Sequence, residues 1–261
     1  MKNLAFTALA ASLLVSTSAM AGPGYLAATE GFDYPANTSI VGQNGGTGWS
    51  SAWQSGLTTA PQVVSNQGNT ALQLSSNSDN AAYRSLSAAV TGEVLIKFVF
   101  SYSGVLGDND FLGLWFGSSA GPNIGLKANC GTGACINDAF ARTSGSTTQM
   151  LLNSNLQADT SYVLFGHLYK ANGSNTYNRF DAWLNPSSAE MSNLTNPDAS
   201  SSGVTSMNSF SVLGFRTDNI DGGTTVRVDD IEVSVVPEPS SVALLGISML
   251  ALCGLRRRRQ K

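Results

Sequence analysis

The sequence predicts an all-β domain, an antiparallel β-sandwich of the jelly-roll kind, flanked by an N-terminal signal peptide and a single C-terminal transmembrane helix. Three observations lead there. Apolar and polar residues alternate in runs that fit a two-residue period. Clusters of Gly, Asn, Ser and Asp punctuate those runs. Outside the two ends, no long run carries a helical period.

The clearest strand lies at residues 93–102, where Val94, Ile96, Phe98, Phe100 and Tyr102 share one face and Lys97 and Ser101 the other. Residues 161–170 place Tyr162, Leu164 and Leu168 opposite Val163, Phe165 and Tyr169. Both faces are apolar, as in a strand with neighbours on both sides and cover on both faces. Further strands are expected at 71–75, 111–117, 124–128, 149–152, 179–184, 209–217 and 224–235. In the last of these, Val226 and Val228 have one parity and Ile231, Val233 and Val235 the other. The phase slips at Asp229-Asp230, which predicts a β-bulge. The segment 22–236 is long enough for one sandwich, since such domains run to ~200–250 residues.

Hydrophobic residues make up 42% of the 261-residue chain and charged residues 12%, a composition that folds. The net charge of −3 includes the basic ends; residues 22–236 hold eight Lys or Arg against sixteen Asp or Glu, a net of −8. An acidic domain disfavours nucleic acid and makes a cation a better expected partner than an anion.

The N-terminus, residues 1–21, has the order of a signal peptide: Lys2, an apolar run from Leu4 to Val15, then Ala19-Met20-Ala21. Signal peptidase is expected to cut after Ala21. At the other end, residues 237–261 begin with Pro237-Glu238-Pro239 and continue with an apolar stretch of 14 residues, Val242 to Leu255. At ~1.5 Å per residue, a helix there covers ~21 Å of a ~30 Å hydrocarbon core, so it spans only a locally thinned bilayer. Arg256, Arg257, Arg258 and Arg259 follow and are expected to stay cytoplasmic. Proline-glutamate-proline, a short apolar helix and a terminal arginine cluster together resemble the PEP-CTERM sorting signal. The resemblance implies processing by an exosortase, transient anchoring in the inner membrane, and delivery to the cell surface or exopolysaccharide matrix.

Residues 30–53, EGFDYPANTSIVGQNGGTGWSSAW, resemble the opening of concanavalin A-like (LamG-like) jelly-roll domains, and Phe180 to Pro186 and Val228 to Ile231 resemble later strands of that family. The fold hosts lectins, hydrolases and spacers alike, so the resemblance implies architecture and leaves activity open. It also implies a structural calcium joining first and last strands, for which Asp33, Asp229 and Asp230 are the candidate ligands. Asp108-Asn109-Asp110 and Asp218 to Asp221 are looser acidic loops.

Other candidate chemistry is thin. Gly117-Ser118-Ser119-Ala120-Gly121 matches G-x-S-x-G, but Pro122 and a further strand follow where a nucleophile elbow needs a helix. His167 is the only histidine and is expected to be a hydrogen-bonded strand residue. No acid triplet supplies the paired carboxylates of glycoside hydrolysis. Trp115 and Trp183 are expected in the core, whereas Trp49 and Trp53, in a Gly/Ser-rich loop, are candidate glycan contacts. Cys130 and Cys135 flank a Gly-rich loop and, in an oxidising exterior, are expected to form a disulfide. The expected function is a non-enzymatic surface or matrix protein that binds glycans; the alternative is a glycan-active hydrolase on the same scaffold.

Overall fold

In the computed structural model, the alternating runs become two antiparallel sheets stacked face to face. It describes residues 24–236 apart from 67, 131–134, 146 and 221. The signal peptide with Ala19 and Ala21, and the tail with Pro237, Glu238, Pro239 and Arg256 to Arg259, lie outside the described residues. Among the described residues, no helix is long and apolar enough to cross a membrane.

In chain order the strands are β1 (Tyr25–Glu30), β2 (Thr38–Ser39), β3 (Gln62–Asn66), β4 (Asn69–Leu74), β5 (Ser78–Val90), β6 (Glu93–Ser103), β7 (Phe111–Phe116) and β8 (Asn123–Asn129). They continue with β9 (Ile136–Arg142), β10 (Met150–Leu151), β11 (Tyr162–Tyr169), β12 (Arg179–Leu184), one short helix α1 (Ser188–Asn193), β13 (Ala199–Ser202), β14 (Phe210–Asp218) and β15 (Thr225–Val236). Among the described residues, one sheet has nine strands in the order β13-β12-β11-β6-β15-β4-β3-β2, with β1 also paired to β15. The other has six, β10-β9-β8-β7-β14-β5.

Burial follows the alternation. Val94, Ile96, Phe98, Phe100 and Tyr102 of β6 enter the inter-sheet core, where they meet Leu112, Leu114 and Phe116 of β7 and Phe215 of β14. β11 lies between β6 and β12, in register through Leu164–Phe98 and Leu164–Leu184; its outer face is also packed, with Phe165 against Trp183. Trp115 and Trp183 bear out the expected burial and add a detail. Both are buried, but neither belongs to the inter-sheet cluster. Trp183 instead packs against Phe165, and its indole N–H donates to the Thr195 carbonyl at 2.9 Å, just after α1.

The predicted bulge is present. Against β6, Asp229 stands opposite Val99 and Glu232 opposite Lys97, so β15 holds one extra residue. Asp230 takes a left-handed conformation, φ 49°. On its other flank β15 changes partner at the same point, pairing β4 through Val226 to Val228 and β1 from Ile231 onward. The inserted residue keeps Val228 and Ile231 both on the core side, and keeps both aspartates off it.

Candidate functional site

Three side-chain clusters deserve comparison as functional sites: the bulge acids, a buried charge knot, and a groove on the six-stranded sheet.

At the bulge, Asp229 is buried and Asp230 exposed. The Asp229 carboxylate accepts the Asp230 backbone N–H at 2.8 Å and the Asn69 amide at 3.3 Å. Burial pushes its pKa up to about 7; the Asp230 amide opposes that shift, and the charges of Asp230, Asp33 and Glu30 add to it. Asp33, three residues past the end of β1, is thus among the charges felt at Asp229. Among the described residues, however, no three acidic, His or Cys side chains converge closely enough to hold a metal ion. The three-carboxylate set Asp33, Asp229 and Asp230 is not assembled, because the left-handed turn at Asp230 sends that side chain to solvent.

The charge knot lies beside it and joins the two sheets. Glu30, at the end of β1, is ion-paired with Arg84 of β5 at 2.6 Å, and both side chains are 1% exposed. The same Glu30 carboxylate accepts the Phe32 N–H at 2.9 Å, the Tyr34 hydroxyl at 2.8 Å and the Trp53 indole N–H at 2.8 Å. Arg84 donates to the carbonyls of Ser51 and Gly45 and to Asn44 Oδ1. Burial beside Glu30 pushes the Tyr34 phenol up to about 12. This corrects the expected glycan contact at Trp53: the ring is 1% exposed, against Phe32 and Phe215. Trp49 is half-buried, donates to the Thr29 carbonyl at 2.8 Å and lies under the Arg84 guanidinium. Both tryptophans fasten the opening loop onto the sandwich.

The groove is built on the outer side of the six-stranded sheet. Because Leu112, Leu114 and Phe116 face the core, Phe111, Gly113 and Trp115 face away from it. Register sets the rest. Trp115 pairs with Asn123 and Asn123 with Arg142; Gly113 pairs with Arg216 and Gly125; Phe111 pairs with Lys127 and Asp218. A groove of about 270 Å³ opens over these rows, lined by Asn109, Phe111, Lys127, Arg142, Gln149, Arg216, Asp218 and Asn219. Phe111 stacks on Phe140 at 5.1 Å, and Arg142 lies over both rings, at 5.2 and 5.7 Å. Arg216 covers Phe111 at 5.7 Å. A Cβ at Gly113 would meet the Phe111 ring at 2.7 Å, so a larger residue there would displace that ring.

Electrostatically the groove runs against the rest of the domain. Three of the eight cations of residues 22–236 line it, as does, among the described residues, one carboxylate, Asp218. Burial and the neighbouring Arg216 lower the pKa of Arg142; burial and then Arg142 do the same to Lys127. The overall acidity of the domain thus conceals a local cluster of cations. Sequence reasoning missed Arg84, Arg142 and Arg216. Their signal was a charge inside an apolar strand, as in Phe140-Ala141-Arg142 and Gly214-Phe215-Arg216, a placement that is costly unless the charge is used.

The remaining candidates are structural. Gly117 to Gly121 form the β7–β8 hairpin, closed by the Gly121 N–H donating to the Ser118 carbonyl at 2.8 Å. His167 Nε2 is 2.9 Å from Glu93 and its ring stacks on Tyr169. Cys130 and Cys135 are joined by a disulfide. Its loop is short, so Cys135→Ser is expected to cost only ~2 kcal/mol by chain entropy. Chemical denaturation of the variant, with alkylation of unreduced wild type leaving both cysteines unmodified, checks this.

Comparison with known proteins adds the following. Residues 235–259 match the PEP-CTERM protein-sorting motif. No curated protein matches the chain in sequence. Among solved structures, the chain is similar to domain 4 of AbnA, an extracellular arabinanase from Geobacillus stearothermophilus in complex with arabinotriose: 11% identity, 84% of this chain and 97% of that one, TM-score 0.48. It is also similar to the CBM22-1 xylan-binding domain of Paenibacillus barcinonensis Xyn10C, at 10% identity over 82% and 97%, TM-score 0.37. A third is the alginate lyase Aly36B in complex with alginate trisaccharide, at 8% identity over 78% and 99%, TM-score 0.45.

Proposed function

We propose that this chain is an exported envelope protein, released by signal peptidase at one end and by an exosortase at the other, whose sandwich binds glycan at the cell surface or in the exopolysaccharide matrix without chemically altering it. The observation that carries the sorting half is the motif match over residues 235–259, with the signal-peptide pattern of residues 1–21 agreeing with it in direction. The groove on the six-stranded sheet supports the binding half. It offers amide side chains and cations over a floor of aromatic rings, the mixture that orients a hydroxylated ligand. The lining supports binding over hydrolysis, because glycoside hydrolysis needs a pair of carboxylates and, among the described residues, Asp218 is the one carboxylate in the lining, 3.1 Å from Arg216.

Replacing Pro237-Glu238-Pro239 with alanines is expected to leave a longer, membrane-held form in the native host, seen as a slower band in the membrane fraction and loss of surface protein. Normal tail removal in that variant would refute exosortase handling. Incubating the purified protein with polysaccharides and assaying reducing ends separates the two halves of the binding claim. Retention of a glycan without new ends is expected; new ends would turn the reading to a glycan hydrolase.

A further inference from the structure

We propose that the groove over β7, β8, β9 and β14 selects an anionic polysaccharide, one whose sugars carry carboxylate or sulfate groups, with Arg142 and Arg216 taking the anion. The inference rests on the glycan-binding reading above and names the class of glycan.

The cations are placed for an external partner. Arg142 spends Nε on Asn123 Oδ1 at 2.8 Å and Nη1 on the Gly145 carbonyl at 3.3 Å, both neutral oxygens. Among the described residues, no carboxylate pairs with it. Its second terminal nitrogen, Nη2, is left to the groove. Arg216 is held from the side by Asp79 at 2.8 Å and Asp218 at 3.1 Å, both well exposed. Lys127 leans on Asn109 Oδ1 at 2.7 Å. Three cations thus stand together in a domain of net charge −8; Asp79 and Asp218 offset Arg216, and Asp108 and Asp218 act on Lys127, which leaves Arg142 as the cation with no carboxylate partner among the described residues. The Arg142 guanidinium, over the Phe111 and Phe140 rings, is a planar group that suits the two oxygens of a carboxylate or sulfate.

The surroundings fit a sugar chain better than a nucleic acid. Guanidinium groups already cover the ring faces that would stack on bases, whereas Asn109, Gln149 and Asn219 suit hydroxyls. Duplex DNA carries one charge per ~1.7 Å of axis, so the acidic domain repels it strongly; a uronate glycan, with one charge per ring, presents fewer. On the same outward side of the sheet, the buried Trp115 indole N–H has no hydrogen-bond partner, a donor left over beside Asn123 and Arg142.

The test uses the full chain in detergent and affinity electrophoresis through gels containing polygalacturonate, dextran sulfate or neutral dextran, with a DNA duplex as competitor. One or both anionic polymers should bind at least roughly tenfold more tightly than dextran, and R216Q and K127Q should each weaken that binding by roughly three- to tenfold. Polygalacturonate against dextran sulfate distinguishes carboxylate from sulfate. R142Q should lose more, and because Arg142 is buried, its melting temperature is measured alongside; the more exposed Arg216 and Lys127 variants carry the test if R142Q fails to fold. Dextran bound as tightly as the anionic polymers, with R216Q and K127Q silent, would overturn the anionic class and leave glycan binding standing. Retardation by no polymer would overturn glycan binding itself. Full displacement by duplex DNA would reduce the groove to an unselective polyanion site and overturn the proposal.

Discussion

Glu30→Ala is expected to destabilise the domain by about 3–5 kcal/mol, because it leaves the Arg84 guanidinium buried and uncompensated between the sheets. The loss exceeds one ion pair. Phe32, Tyr34 and Trp53 also donate to that carboxylate, and each would lose its acceptor in a dry site. For a domain of this size, ~2–4 °C of melting temperature accompanies each kcal/mol, so a fall of roughly 10 °C is expected by calorimetry. Replacing both partners with Glu30→Gln and Arg84→Met should recover much of it, since a neutral pair carries no stranded charge. A single variant melting within a few degrees of wild type would show that the knot is a passive feature of the fold.

Asp229 should make the protein less stable as pH rises. Its carboxyl is raised to about 7 from an ordinary value near 4, first by burial. The folded state therefore favours the protonated form. That contribution is complete below the unfolded pKa near 4 and is lost as pH rises through about 7. Each unit of displacement is worth about 1.4 kcal/mol, so the group accounts for up to about 4 kcal/mol between acid and mildly alkaline buffer, less whatever solvent relaxation recovers. Urea unfolding across that range, in chelator, should show stability declining with pH, and Asp229→Asn should flatten the decline and unfold later than wild type at the alkaline end. A calcium ion beside Asp229 would hold the carboxylate charged and remove the decline in wild type, so repeating the titration with calcium tests the metal expectation directly. Equal slopes in wild type and Asp229→Asn would exclude Asp229 as the origin.

How much was legible differs from strand to strand. β6, β12, β14 and β15 were readable because bulky apolar residues alternate against polar ones, and β7 and β11 because they are short, continuous apolar and aromatic runs. The bulge was readable for the same reason, since one extra residue inverts parity and leaves a visible slip. β5, the longest strand, was not foreseen. Its sequence SDNAAYRSLSAAV offers alanine and serine where contrast is needed, and its buried arginine reads as an outward position. β9, with INDAFAR, hides a groove residue in the same way. α1 is short and announced only by its capping box, in which the Ser187 hydroxyl accepts the Glu190 N–H and the Glu190 carboxylate accepts the Ser187 N–H.

The opening motif shows both sides of the matter. Glu30, Tyr34, Gly45, Trp49 and Trp53 could be quoted from the sequence as a jelly-roll signature, but their shared purpose could not. Arg84, the partner they surround, is 54 residues beyond Glu30, and only the stacking of two sheets brings it in.

By itself the sequence determined the all-β architecture, the phase slip and the sorting motif. Each is written in neighbouring residues, through a two-residue period or a contiguous motif. The charge knot, the separation of Asp230 from Asp229 and the basic groove were decided only by tertiary structure. Electrostatic character at a site depends on which side chains strand register places within a few ångströms of one another, and in this fold those residues come from strands far apart in the chain.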